Sequence, residues 1–306
     1  MHVSGIFYYP IFRIKSFHLS NFTSKLMCYT SEVMAKIEIV GAPEEHLASL
    51  LVIGAFQRVL VDLSQNQFVP TAEQLSQIEE RWAPKAEKGY FPGPVAKITE
   101  FEVNGCDLGL HMQPTTFREF VGLQTDDDAK KFGVARLANP LSVSMAVHTA
   151  DEKWLLTKKM IGDRIGSLDA VGGYFNPLKD DNDPIKTGKR EYMEETGSGE
   201  DSIRAMILLG LQYECKNLCH PVLSVLVESG LTSQEILGSA PKNADGEVQL
   251  LAVDDPLQTI AEMEKQNADV EPDGQLTFAL SVGYLANPRF FINPRVISEL
   301  SELVIN

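Results

Sequence analysis

The side chains best suited to chemistry in this chain are three glutamates in the stretch Arg190-Glu191-Tyr192-Met193-Glu194-Glu195-Thr196-Gly197. On a helix, Glu191 and Glu194 are three positions apart and Glu191 and Glu195 four apart, so all three share one face. Arg190 stands four positions before Glu194 and is expected to pair with it. Like charges at this spacing repel by only about 0.2–0.5 kcal/mol per pair in water, which a solvated acidic face tolerates. They also meet the unfavourable end of the helix dipole. A divalent cation would turn that repulsion into attraction. Mg²⁺ takes oxygen donors, typically one or two carboxylates with substrate phosphates and water. The cluster is therefore of the kind that holds Mg²⁺ (or Mn²⁺) against a diphosphate.

A helix must carry these residues, and its ends are marked. Asp183 is a good N-cap, Pro184 suits the first helical position, and Gly197 can take the left-handed conformation of a helix stop. The spacing predicts a helix over Pro184 to Thr196.

The octet resembles the second half of the Nudix box, G-x5-E-x7-R-E-U-x-E-E-x-G-U, where U is a bulky apolar residue. Arg190, Glu191, Tyr192, Glu194, Glu195 and Gly197 stand in its order and spacing, and Val171-Gly172-Gly173 is similar to the glycine pair that opens the box after a strand. The resemblance implies a strand–loop–helix in which Glu191, Glu194 and Glu195 bind Mg²⁺ or Mn²⁺. Arg190 would brace the glutamates, and Gly172 and Gly173 would let the loop pack closely on the helix. The implied reaction is attack of water on a diphosphate linked to another group, most often in a nucleotide. Lys159 and Arg164 are candidates to touch the substrate's phosphates, and Glu247 is a candidate general base on position alone.

The pattern is broken in three places. Gly173 to Arg190 spans 17 positions where the box has 14, the first box glutamate is missing, and Ser198 takes the final apolar position. Asp180, Asp181 and Asp183 stand near the lost carboxylate. A second, more diffuse likeness, through Arg136-Leu137-Ala138-Asn139-Pro140-Leu141-Ser142-Val143-Ser144 and the long box loop, is to the UDP-glucose/UDP-galactose pyrophosphatase branch of that family.

The 306 residues suffice for two domains. Residues 1–33 are basic and acid-poor before Glu32, read as a targeting segment or as sequence upstream of a natural start near Met34. Residues 34–131 are expected to form a smaller α+β N-terminal domain. In it Ile37, Ile39 and Val40 suggest a strand, Leu47 to Leu63 is strand or buried helix, and Thr71-Ala72-Glu73-Gln74 is a capping box. Asn104-Gly105 marks a hairpin, and Thr116 to Gly122 a short helix. The acidic run Asp126-Asp127-Asp128 is read as a polar linker. Residues 132–306 are expected to form an α/β/α sandwich with a mixed sheet, closed by a helix after Asn293-Pro294 that carries Val296, Ile297, Leu300 and Leu303.

The net charge of −15 argues against duplex nucleic acid and anionic membrane as partners. Cys28, Cys106, Cys215 and Cys219 are too few and scattered for a disulfide framework and fit a reducing compartment, hence a cytoplasmic location. A zinc site at Cys215-x3-Cys219-His220 lacks a second ligand pair. The expected function is a metal-dependent pyrophosphohydrolase acting on a small nucleoside diphosphate derivative, a nucleotide sugar among the options. The rival is a nucleotide-binding or regulatory protein of the same fold that has lost hydrolysis. An isomerase of a prenyl diphosphate shares the metal chemistry but needs a proton donor that the cysteine placement does not supply. The N-terminal domain is expected to serve substrate recognition or a homodimer contact.

Overall fold

The computed structural model describes residues 12–13, 38–39, 48–160, 164–214, 220–241, 248–292 and 294–296. The two-residue strands β1 (Phe12–Arg13) and β2 (Glu38–Ile39) pair with one another. Leu47 to Leu63, undecided by periodicity, resolves into β3 (Ala48–Phe56) and β4 (Arg58–Leu63). Helix α1 (Ala72–Glu87) starts at the expected capping box, with Thr71 and Gln74 satisfying each other's backbone N–H groups. Ile78 and Trp82 are buried along its inner face, and Leu75 is exposed.

Strands β5 (Pro94–Asn104) and β6 (Asp107–Thr116) form the expected hairpin, with Gly105 at φ 62° opening the two-residue loop. Helix α2 (Phe117–Gly122) follows, capped by Thr116.

The acidic run is not an extended linker. It forms the first turn of α3 (Asp126–Phe132), because Thr125 and Asp128 make a capping box and acids there suit the helix dipole. Asp128 is buried and accepts a hydrogen bond from Arg81 at 2.5 Å.

The larger sheet is built from β7 (Ser142–His148), β8 (Trp154–Lys159), β9 (Leu168–Asp169), β10 (Val171–Tyr174), β11 (Ile203–Glu214), β12 (His220–Ser229), β13 (Val248–Val253) and β14 (Arg295–Val296), together with β3. Its order is β13-β8-β7-β12-β11-β3-β14, with β10 on β7 and β9 on β8. β7 and β12 run parallel and the other pairs antiparallel, so the sheet is mixed. β3 comes from the N-terminal part of the chain yet pairs with β11 inside this sheet. A second sheet, β4-β6-β5, stands beside it.

Helices α4 (Pro184–Thr196) and α5 (Ser233–Ser239) cover one face of the larger sheet, and α6 (Pro256–Lys265) and α7 (Pro272–Ala286) the other. This is the α/β/α arrangement read from the sequence. Val143, Met145 and Tyr192 lie in the core on the α4 side, and Ala146, Leu226 and Phe278 on the α7 side, as alternation along β7 and β12 requires. The first core also takes in Ile78, Ile98, Leu110 and Met112, so it continues without a break into the smaller sheet.

The expected last helix is corrected in part. Val296 lies in β14 opposite Val52, where the open edge of β3 offers its backbone partners. Ile297, Leu300 and Leu303 lie outside the described residues, as do Ile37, Val40 and most of residues 1–33. Among the described residues no helix is long and apolar enough to cross a membrane.

Candidate active site

Helix α4 has the bounds that the sequence predicts. The Asp183 carboxylate accepts the Ile185 N–H at 2.9 Å, Pro184 occupies the first turn, and Gly197 ends the helix at φ 66°, its N–H donating to the Met193 carbonyl. Thr187, Gly188, Tyr192 and Thr196 make the buried face. Gly188 sets the helix close to the sheet, since a Cβ there would press on Met145, Met206 and Val143. The Tyr192 hydroxyl, fully buried, bonds to Ser202 and Ser229, both at 3.0 Å. With that face fixed, Arg190, Glu191 and Glu194 are left on the other side.

Arg190 is the hub. Its Nε donates to Asp180 at 3.0 Å, its Nη1 to Glu191 at 2.5 Å and to Glu194 at 3.4 Å, and its Nη2 to the Tyr174 carbonyl at 3.4 Å. Burial opposes the guanidinium charge, but the hydrogen bond to Asp180 and the charge of Glu191 outweigh it and raise its pKa further. Of Asp180, Asp181 and Asp183, Asp180 is the one that meets Arg190. It is 1% exposed and also accepts from the Thr187 hydroxyl at 2.7 Å and the Asn176 N–H at 3.0 Å. Asp181 pairs with Lys186 at the surface, and Asp183 is spent on the cap. The longer loop makes room for this by two residues with positive φ, Asp181 at 48° and Asn182 at 58°.

Glu191 is 14% exposed and lies against Gly173, so close that a Cβ on residue 173 would overlap its carboxylate. Gly172 is tight for another reason: a Cβ there would strike the Val143 carbonyl across the ladder. Glu194 is 58% exposed at the open end of the helix, and Glu195 is half-buried beside it. Among the described residues no group of three His, Cys, Asp or Glu side chains converges as a ready metal cage. Glu191 and Glu194 lean on Arg190 instead.

Lys159 and Arg164 stand in a separate ion-pair network at the start of α7. Lys159 Nζ is 3.0 Å from Glu271 and 3.6 Å from Asp169, and Arg164 meets Asp269 at 2.6 Å and also Glu271. Burial works against the Lys159 ammonium, but Asp169 and Glu271 raise its pKa, while burial pushes Asp169 up to about 7. Glu247, Cys215 and Cys219 lie outside the described residues. His220 is buried with Nε2 3.0 Å from the Ser142 hydroxyl, and burial pushes it down to about 3, so it is neutral. The importance of Tyr174 is invisible in the sequence, because its contribution is a backbone carbonyl and a ring packed on residues far away in the chain.

Neither a protein-family model nor a curated protein matches the chain. Solved structures similar to it include the Nudix domain of NrtR from Shewanella oneidensis in complex with ADP-ribose, at 16% identity over 48% of this chain and 89% of that one, with a TM-score of 0.36. A Nudix hydrolase from Nitrosomonas europaea is 16% identical over 47% of this chain and 89% of that one, TM-score 0.36. The MutT protein from Methanosarcina mazei Go1 is 20% identical over 49% of this chain and 98% of that one, TM-score 0.32. Beside these likenesses stands the chain's own motif, Arg190 to Gly197, which resembles the Nudix box.

Proposed function

We propose that the chain is a metal-dependent pyrophosphohydrolase that cleaves a nucleoside diphosphate linked to another moiety, with nucleotide sugars as the first substrates to test. The observation that carries this reading is the strand–loop–helix in which Gly173 abuts Glu191 while Arg190 ties together Asp180, Glu191 and Glu194.

What supports a hard divalent cation is the chemistry of the donors: Glu194 is largely exposed, Glu191 stands one turn before it, and Mg²⁺ needs only one or two carboxylates when phosphates and water complete its shell. Glu191, Glu194 and Glu195 would hold Mg²⁺ or Mn²⁺. Held there, such a cation would neutralise charge on the diphosphate and make a water more acidic. Arg190 holds the glutamates in register and, fully engaged by its own carboxylates, is a bracing group rather than a phosphate ligand. The charges of Lys159 and Arg164 are matched within their own network, which supports a structural part for both. The net charge of −15 supports a small-molecule substrate over nucleic acid.

The test is a panel of nucleoside diphosphate derivatives with Mg²⁺ and Mn²⁺, reading release of a nucleoside monophosphate. Glu194→Gln is expected to lower turnover by about 100-fold, and equal turnover by the variant and the wild type refutes the role given to Glu194. The second reading, a nucleotide-binding protein without hydrolysis, is motivated by the missing first box glutamate, the longer loop and the engagement of Glu191 by Arg190. Nucleotide binding by calorimetry with no product formed would favour it.

A further inference from the structure

We propose that α2, from the N-terminal half of the chain, positions the carboxylate cluster of α4, with Tyr174 as the link. The proposal rests on the reading of that cluster as the reactive site. It also gives the N-terminal elements a part in that site.

Strand β10 is the weak member of the site. It has four residues, two of them glycine, and among the described residues it is hydrogen-bonded on one side only, to β7. Gly172 and Gly173 provide no side chain to hold it in place. Its anchors are therefore the residues at its ends, the fully buried Val171 on the α4 side and Tyr174 on the opposite face. The Tyr174 ring is gripped by two side chains of α2: Phe117 at 5.6 Å and Phe120 at 5.2 Å between ring centroids, the latter edge-on. His220 completes the nest at 5.6 Å. Helix α2 is fixed in turn on α1, where Gly122 allows contact with the Ile78 backbone and Trp82 meets Phe117 edge-on at 6.5 Å.

Two contacts carry the position of β10 to the site. The Tyr174 carbonyl accepts Arg190 Nη2, and Gly173 touches the Glu191 carboxylate. Any displacement of β10 therefore moves Arg190 and Glu191 together. Phe117 and Tyr174 act as positioning residues, touching no reacting atom.

The experiment uses Phe117→Ala in the full chain, because Phe117 is half-buried whereas Phe120 is core. Four quantities are read: thermal unfolding, hydrogen exchange of the Arg190 Nε–H by NMR, and kcat and KM with Mn²⁺. A folded variant is expected to show Arg190 Nε–H exchange faster by about tenfold and kcat lower by about tenfold, with KM within about twofold. Phe117→Tyr, which keeps the ring, is expected to restore both. Unchanged Arg190 exchange in folded Phe117→Ala overturns the proposal, as does a loss that Phe117→Tyr fails to restore. Should Phe117→Ala not fold, Phe117→Leu carries the same test with the same outcomes. Arg190 exchange needs neither metal nor substrate, so an inactive wild type would defeat the hydrolase reading while this readout still decides the positioning claim.

Discussion

Asp180 Oδ1 accepts the Nε–H of Arg190 at 3.0 Å across ten residues of chain, from a residue that is 1% exposed. The loop that carries Asp180 is folded back by two left-handed residues, Asp181 and Asn182. Removing Asp180 would leave Arg190 half-buried without its main partner. Asp180→Ala is expected to destabilise the protein by about 3 kcal/mol, and Asp180→Asn by less, since the amide can still accept one bond. Urea unfolding of the two variants checks the order.

The two glycines of β10 are expected to respond differently to the same change. In Gly173→Ala the new methyl meets only the far end of the Glu191 side chain, which can swing away. Stability should hold while turnover falls by about tenfold or more. In Gly172→Ala the methyl meets the Val143 backbone carbonyl, which cannot move without breaking the β7 ladder. That variant should lose about 1–3 kcal/mol. Melting curves paired with initial rates separate the two behaviours, and equal effects on both quantities would contradict this geometry.

Gly197→Ala tests the end of α4. The residue sits at φ 66°, and a Cβ would also press on the Ser239 carbonyl. The left-handed conformation alone disfavours a side chain by about 1–2 kcal/mol, so a loss of about 2 kcal/mol or more in chemical unfolding is expected.

Lys97 gives the protein a pH dependence. Its ammonium is buried, donating to the Ala135 and Leu137 carbonyls at 2.8 and 2.7 Å, and burial pushes its pKa down to about 8 from 10.5. Between these values the unfolded chain holds the proton and the folded chain does not. The unfolded state then binds more protons, so stability should rise as pH goes from 8 towards 10. Lys97→Met should remove this rise. A flat wild-type profile over that range, measured by urea unfolding at each pH, would show that the two carbonyls hold the charged form.

Local chemistry was enough to place α4 from cap to stop, the capping box of α1 and the β5–β6 hairpin. Each is specified by residues a few positions apart: a cap and its acceptor, or a glycine with positive φ. The reach of Arg190 to Glu194, four positions on, follows from the same helical spacing. Other features depended on groups distant in sequence. Which aspartate serves Arg190, the pairing of β3 into the larger sheet, the extended Val296, the pairing of Lys159 and Arg164 with Glu271, and the nest around Tyr174 were all decided by tertiary contact. A buried charge takes whichever partner the fold brings within bonding distance, and an open strand edge takes whichever segment reaches it, so neither choice is written in the spacing of neighbouring residues.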